Sequence, residues 1–125
     1  MNDRVKWIEQ QGSRMLFVDY SKLDEDACLK VYEELRKTVM DQPAGVMIPI
    51  IVDITGTFIT ERVRNAQKSL SDEMHQKRKE SEKAPTAVIG VTGIKKLIAK
   101  AFRSDIYYAN DLNDAVSWMI KQARR

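Results

Sequence analysis

The sequence has a single cysteine, Cys28, so no disulfide can form within the chain, and the expected setting is the reducing cytoplasm. It has a single histidine, His75, in Glu73-Met-His-Gln-Lys-Arg78. A catalytic base or metal ligand needs partners, and a lone histidine among charges reads as a surface residue. There is no cluster of Cys and His, no nucleophile elbow, no paired carboxylate in a credible cleft and no Gly-rich cofactor loop. The expectation is therefore a chain that is not an enzyme and that carries no metal and no cofactor. No apolar run approaches the roughly 20 residues of a membrane helix. The start, Met-Asn-Asp-Arg-Val-Lys-Trp, enters a strand pattern at once and does not read as a signal peptide. Charge of one sign is scarce too, with 21 basic against 18 acidic residues and a net charge of +3. Nucleic-acid binders carry a stronger and more local excess. The longest charged segment, Asp72 to Lys83, mixes both signs and reads as a solvated helix face.

What is present is a chain of 125 residues, 43% apolar and 31% charged, the proportions of a globular protein. That length supports one domain over residues 1–125 with a real core and is short for two. The chain is organised around Val46 to Glu61, which reads V-M-I-P-I-I-V-D-I-T-G-T-F-I-T-E. Seven of its first nine residues are apolar, the pattern of a strand covered on both faces. Asp53, Thr55 and Gly56 then supply turn chemistry. Open α/β sheets place sites where a strand passes through a polar loop into a helix, so function is expected near Asp53–Glu61.

Short strands are expected at Val5–Glu9 and Met15–Tyr20, joined through Gln10-Gln11-Gly12-Ser13. Ser21 and Asp24 have capping-box spacing, and Asp24 can itself be the cap. A helix to about Met40 follows, with Cys28, Val31, Tyr32, Leu35 and Val39 on one face. Asp41-Gln-Pro-Ala-Gly45 stops it. The organising strand runs over Val46–Ile54, and Pro49 within it is a conflict, because proline cannot donate to a ladder. Thr60 opens a second helix with Val63, Ala66, Leu70 and Met74 inward. Then come a strand at Thr86–Val91 and a helix over Gly93–Phe102. A short strand, Ile106–Ala109, precedes Asn110-Asp111 as a cap, and a final helix carries Leu112, Ala115, Val116 and Met119. The order is β-β-α-β-α-β-α-β-α, an α/β domain with a mixed, mostly parallel sheet and one antiparallel edge strand.

Four stretches carry a resemblance to a known family. Val52-Asp53-Ile54-Thr55-Gly56 is similar to a strand ending in Asp-Leu-Ser-Gly. Phe58-Ile59 takes the place of an apolar pair ahead of a switch loop. Ala87-Val-Ile-Gly-Val-Thr-Gly-Ile-Lys-Lys96 is similar to a fourth-strand-to-helix junction. Asn110-Asp-Leu-Asn-Asp-Ala-Val-Ser-Trp-Met119 is similar to a closing helix. Together they resemble the STAS domain, in its small SpoIIAA-like branch, which is related in fold to the CRAL-TRIO lipid-binding domains. The resemblance implies a mixed sheet with helices stacked mainly on one side, as turns of a β-α superhelix. It also implies a regulatory activity through a serine switch at a helix start. This chain has Thr60-Glu61-Arg62-Val63 there, without that serine. Glu61 would stand as a fixed negative charge on the helix dipole, and Thr60 is a hydroxyl that can accept phosphate.

Two groups of residues are candidate sites. The first is a partner-binding loop of Asp53, Thr55, Gly56, Thr57, Phe58, Ile59, Thr60 and Glu61, on which a protein partner would dock. Against it stands the plainer reading that Asp53 caps the loop amides of Thr55–Thr57. The second is an anion site of Thr92, Gly93, Lys95 and Lys96, where helix-start amides and two lysines would favour phosphate. Its plainer reading is that Thr92 caps, Gly93 allows close packing and the lysines are solvated. The function expected is a non-catalytic regulatory or interaction module. The alternative is a binder of a lipid or of an anionic metabolite or nucleotide. Trp7, Trp118 and Cys28 read as packing, and one of Tyr107 and Tyr108 should be buried and the other exposed. The edge strand at Ile106–Ala109 permits a homodimer by edge pairing.

Overall fold

A computed structural model describes residues 4–43, 48–57, 60–77, 85–92 and 106–123. The chain begins with a hairpin. Gln11 and Gly12 lie at φ of 50° and 79°, and positive φ at both central residues is what a two-residue turn of the I′ kind requires. That turn joins β1 (Val5–Gln10) to β2 (Ser13–Asp19) as an antiparallel pair, with Trp7 opposite Leu16. Arg14 lays its guanidinium 3.8 Å above the Trp7 ring, so the half-buried indole is capped by a cation.

Helix α1 (Glu25–Met40) starts where its sequence says it should. The Asp24 carboxylate accepts from the Ala27 N–H at 2.8 Å, satisfying one of the orphan donors of a helix start. Ser21 takes no part in that cap; its N–H donates to Asp19 at 2.8 Å instead. All five residues of the expected inner face are buried, and Cys28 and Val39 have no exposed surface at all. Burying side chains such as Val31 and Leu35 stabilises by about 1.5–3 kcal/mol each.

Three further strands complete a five-stranded sheet in the order β1-β2-β3-β4-β5, namely β3 (Ile50–Asp53), β4 (Thr86–Ile89) and β5 (Ile106–Ala109). From β2 onward every pair is parallel. The described helices are α1, α2 (Glu61–Lys77) and α3 (Leu112–Ala123). The molecule is thus α/β, mostly parallel, with one antiparallel pair. No described helix is long and apolar enough to cross a membrane.

The strands of the hairpin run longer than expected, to Gln10 and from Ser13, and β3 ends at Asp53, one residue before Ile54. Three further boundaries differ for a local reason. β3 begins at Ile50, not Val46. Pro49 lies just ahead of it and serves only as an acceptor, its carbonyl receiving the Leu16 N–H at 2.9 Å. The conflict over proline therefore disappears, because no ladder donor is asked of it. β2 ends at Asp19, one residue early, where Asp19 turns the chain through Ser21. β4 ends at Ile89 rather than Val91, because Gly90 at φ 103° takes the chain out of extended geometry. Val46 and Met47, Phe58 and Ile59, and the helix expected over Gly93–Phe102 lie outside the described residues.

Alternation along the strands divides the core in two. Leu16 and Val18 face α1 and α2, joined there by Tyr20, Ile48, Val63 and Leu70. Met15, Phe17, Ile51, Ala87, Ile89 and Ala109 face α3, against Ala115, Val116, Met119 and Ile120. Of the described helices, α1 and α2 therefore cover one face and α3 covers the other. Leu112, expected inward, is the one large apolar side chain that stands exposed among the described residues, at 37%. Ile120 takes the inward place instead. At the β5 edge Tyr108 is buried, while Tyr107 is half-buried rather than exposed. Tyr107 stacks on Trp118 at 5.0 Å and donates to Asp114 at 2.8 Å.

Candidate functional site

Parallel strands bring their carboxyl ends to one side of the sheet, and the expected loop leaves from there. Asp53 ends β3 in register with Asp19 of β2 and Ile89 of β4. Its Oδ1 accepts from the Thr55 N–H at 2.9 Å and from the Thr55 hydroxyl at 2.6 Å. The plainer reading of Asp53, a carboxylate that caps its own loop, therefore describes its geometry at Thr55. It does not extend to Thr57, whose N–H donates to the Ile54 carbonyl at 3.0 Å. Residues 54–57 make a turn with Gly56 at φ 70° in its third position, as a type II turn requires.

The neighbouring strand leaves the sheet in the same way. Asp19 Oδ1 accepts from both the N–H and the hydroxyl of Ser21. Arg4 lies 3.6 Å from that carboxylate and donates to the Ser21 carbonyl at 3.0 Å. Two adjacent parallel strands thus end in matching Asp-x-Ser/Thr turns. That repeat is written in the sequence, at Asp19-Tyr-Ser21 and Asp53-Ile-Thr55, and is the signal by which the second loop could have been found.

The two loops are joined. The Tyr20 N–H donates to the Asp53 carbonyl at 2.8 Å, and the Lys22 N–H donates to the Thr55 carbonyl at 3.0 Å. The Thr57 hydroxyl donates to the Tyr20 carbonyl and accepts from the Leu23 N–H at 3.0 Å. On the other side, Gly90 lies against Thr55 so closely that a Cβ there would meet the Thr55 backbone nitrogen at 2.6 Å. Gly90 is therefore required by its contact with the candidate loop as well as by its φ.

Thr60 closes the loop at α2. Its hydroxyl accepts from the Val63 N–H at 3.3 Å and its carbonyl from the Arg64 N–H at 3.0 Å. Glu61 follows in the first turn, exposed, where a negative charge suits the helix dipole. Arg62, not singled out by sequence reasoning, pairs with Glu25 at 3.0 Å and Asp26 at 3.6 Å in the first turn of α1. Of the loop residues, Asp53, Thr55, Gly56, Thr57, Thr60 and Glu61 are described, and all lie on this one stretch between β3 and α2. Phe58 and Ile59 are outside the described residues. Of the candidate anion site only Thr92 is described, and it is exposed; Gly93, Lys95 and Lys96 lie outside.

Beneath the loops, the Tyr20 side chain enters the core between sheet and helices. Its hydroxyl is buried without a hydrogen-bond partner of proper geometry among the described residues. Gln67 of α2 comes near enough to ease its ionisation, yet burial dominates and pushes the phenol well above its ordinary value. Burial likewise raises the Cys28 thiol, with Asp24 adding to the effect. Chemically, the described part of the loop offers three hydroxyl groups engaged with neighbours, those of Thr55, Thr57 and Thr60, one capping carboxylate, and exposed residues at Thr55 and Gly56. No group of three or more His, Cys, Asp or Glu among the described residues is placed to hold a metal ion.

No protein-family model, no curated protein and no solved structure matches this chain.

Proposed function

We propose that the chain is a non-catalytic regulatory module of the STAS-like, SpoIIAA-like kind, and that a protein partner docks on the loop between β3 and α2. The observation that supports this reading is the engagement of the loop's polar groups. Asp53 Oδ1, Thr55 and Thr57 direct their hydrogen bonds to one another and to the β2–α1 loop. Groups so engaged shape a surface; groups that act on a substrate are held toward it. Exposed Thr55, Gly56 and Glu61 sit on that shaped base, and loops on rigid scaffolds are where binding function collects. The buried thiol of Cys28 agrees with a reducing, cytoplasmic setting. The space between β2–β3 and α1–α2 holds one contiguous apolar cluster, which favours a partner surface over an interior ligand.

The test is native mass spectrometry of the chain recovered gently from its own cells, followed by titration of the recovered partner. Glu61→Lys at the start of α2 should weaken binding at least about tenfold. Glu9→Lys, on β1 at the opposite end of the sheet, should leave it unchanged. Equal binding by both variants would sink the docking site. A small added mass with no protein partner would replace this reading with ligand binding.

A further inference from the structure

Residues 19–26 are tied to residues 53–57 and to Arg62 by bonds that cross between the two loops. Two backbone bonds join them, Tyr20 to Asp53 and Lys22 to Thr55. Ion pairs from Arg62 to Glu25 and Asp26 join the first turns of the two helices. Between these ties sits one side chain, Thr57, whose hydroxyl donates to the Tyr20 carbonyl and accepts from the Leu23 N–H. Only a hydroxyl can fill both roles from one atom, and valine, its isostere, can fill neither.

Lys22 makes the junction brittle. It sits at φ 55°, in the left-handed region that a residue with a Cβ avoids. Its stem also lies against Gly56, where a Cβ would stand 3.3 Å from the Lys22 Cγ. Such a conformation persists only while its surroundings hold it. Once the Thr57 hydroxyl lets go of Tyr20 and Leu23, on either side of Lys22, the backbone of Lys22 is free to relax. Its own bond to Thr55 is then lost in the same event.

We infer that residues 20–23 of the β2–α1 loop and residues 53–57 after β3 form a single cooperative unit latched by the Thr57 hydroxyl, so that what docks on one of these segments is transmitted to the other. The functional side of this statement rests on the docking role proposed above. The latch itself belongs to the free protein and is tested there.

The experiment is native-state hydrogen exchange, followed by NMR residue by residue. In the unaltered protein, the amides of Lys22, Leu23 and Thr57 should share one opening free energy and one dependence on denaturant. In Thr57→Val, Lys22 and Leu23 should exchange about tenfold faster or more. The amide of Ile54, which bonds to Ile89 of β4, should keep its protection. Thr57→Ser should restore the original rates. Faster exchange at Leu23 alone, with Lys22 still protected, overturns the inference, as do separate opening energies in the unaltered protein. If Thr57→Val does not fold, the unaltered protein and Thr57→Ser decide. A partner that binds while the loops open separately would remove the latch and leave the docking reading standing. A shared opening with no partner would do the reverse.

Discussion

Gly12 and Gly90 both lie at positive φ, but a methyl group added to each meets different surroundings. At Gly12 nothing lies within 4 Å, whereas at Gly90 the Thr55 backbone stands at 2.6 Å. Gly12→Ala should cost about 1–2 kcal/mol, from backbone strain alone. Gly90→Ala should cost about 2–5 kcal/mol, because overpacking adds to strain. Urea denaturation of the two variants checks this, and equal losses would mean that the Gly90–Thr55 contact is not tight. Tyr20→Phe should behave in the opposite sense. Its hydroxyl is buried without a hydrogen-bond partner of proper geometry among the described residues, so removing it should leave stability unchanged or raise it by up to about 1 kcal/mol. A clear loss would show that Gln67 or a buried water satisfies that hydroxyl. At this scale the local bonds were legible. Asp53 bonding Thr55 follows from side-chain chemistry two residues apart. Thr57 bonding Tyr20 and Leu23 was not, because nothing local marks a partner 37 or 34 residues away.

Elements were legible where a period and a stop signal agreed. In α1 the 3.6-residue period placed all five inner residues, and Asp24 marked the start. In the last helix the same period misplaced Leu112, which stands exposed at the helix start. Strand lengths were overestimated at β3 and β4, since an apolar run continues past the last ladder bond into core-packing residues such as Ile48. Between elements, α1 and α2 are bridged by Arg36, which binds Glu73 through two bonds of 2.9 and 2.8 Å. The arginine side chain is 37% exposed and the glutamate 20%. That geometry is favourable but the setting is wet, so a double-mutant cycle should give only the weak coupling of an exposed ion pair. The coupling should shrink as salt is raised. A value several times larger would mean that the pair is better shielded from water than its exposure indicates.

For the molecule as a whole, strand order explains why two helices share a face. From β2 onward each described strand lies beside the last and in the same direction, and α1 and α2 join one cluster on one side of the sheet. The order does not reverse among β2–β5, so the crevice that a reversal opens in doubly wound sheets has no counterpart between them. At the strand ends where that rule places a site, the described residues of two loops interlock. The same covering of the sheet sets the response to alkali. Tyr20, Tyr32 and Cys28 are raised chiefly by burial, and Tyr107 chiefly by its bond to Asp114. The unfolded chain releases these protons near 9.0 for the thiol and 10.0 for the phenols, while the folded chain holds them to higher pH. The stabilisation is therefore complete below about pH 9 and is lost as pH rises through the folded values. Each group contributes at most about 1.4 kcal/mol per pH unit, and the partly exposed Tyr107 contributes less. Urea midpoints measured from pH 8 to pH 11.5 should hold level and then fall. Tyr20→Phe should flatten the fall above pH 10 more than Tyr107→Phe does, because Tyr20 has no exposed surface and the largest shift. A midpoint level to pH 11, or an equal slope in Tyr20→Phe, would mean that the phenol meets solvent and that the core under the two joined loops is open.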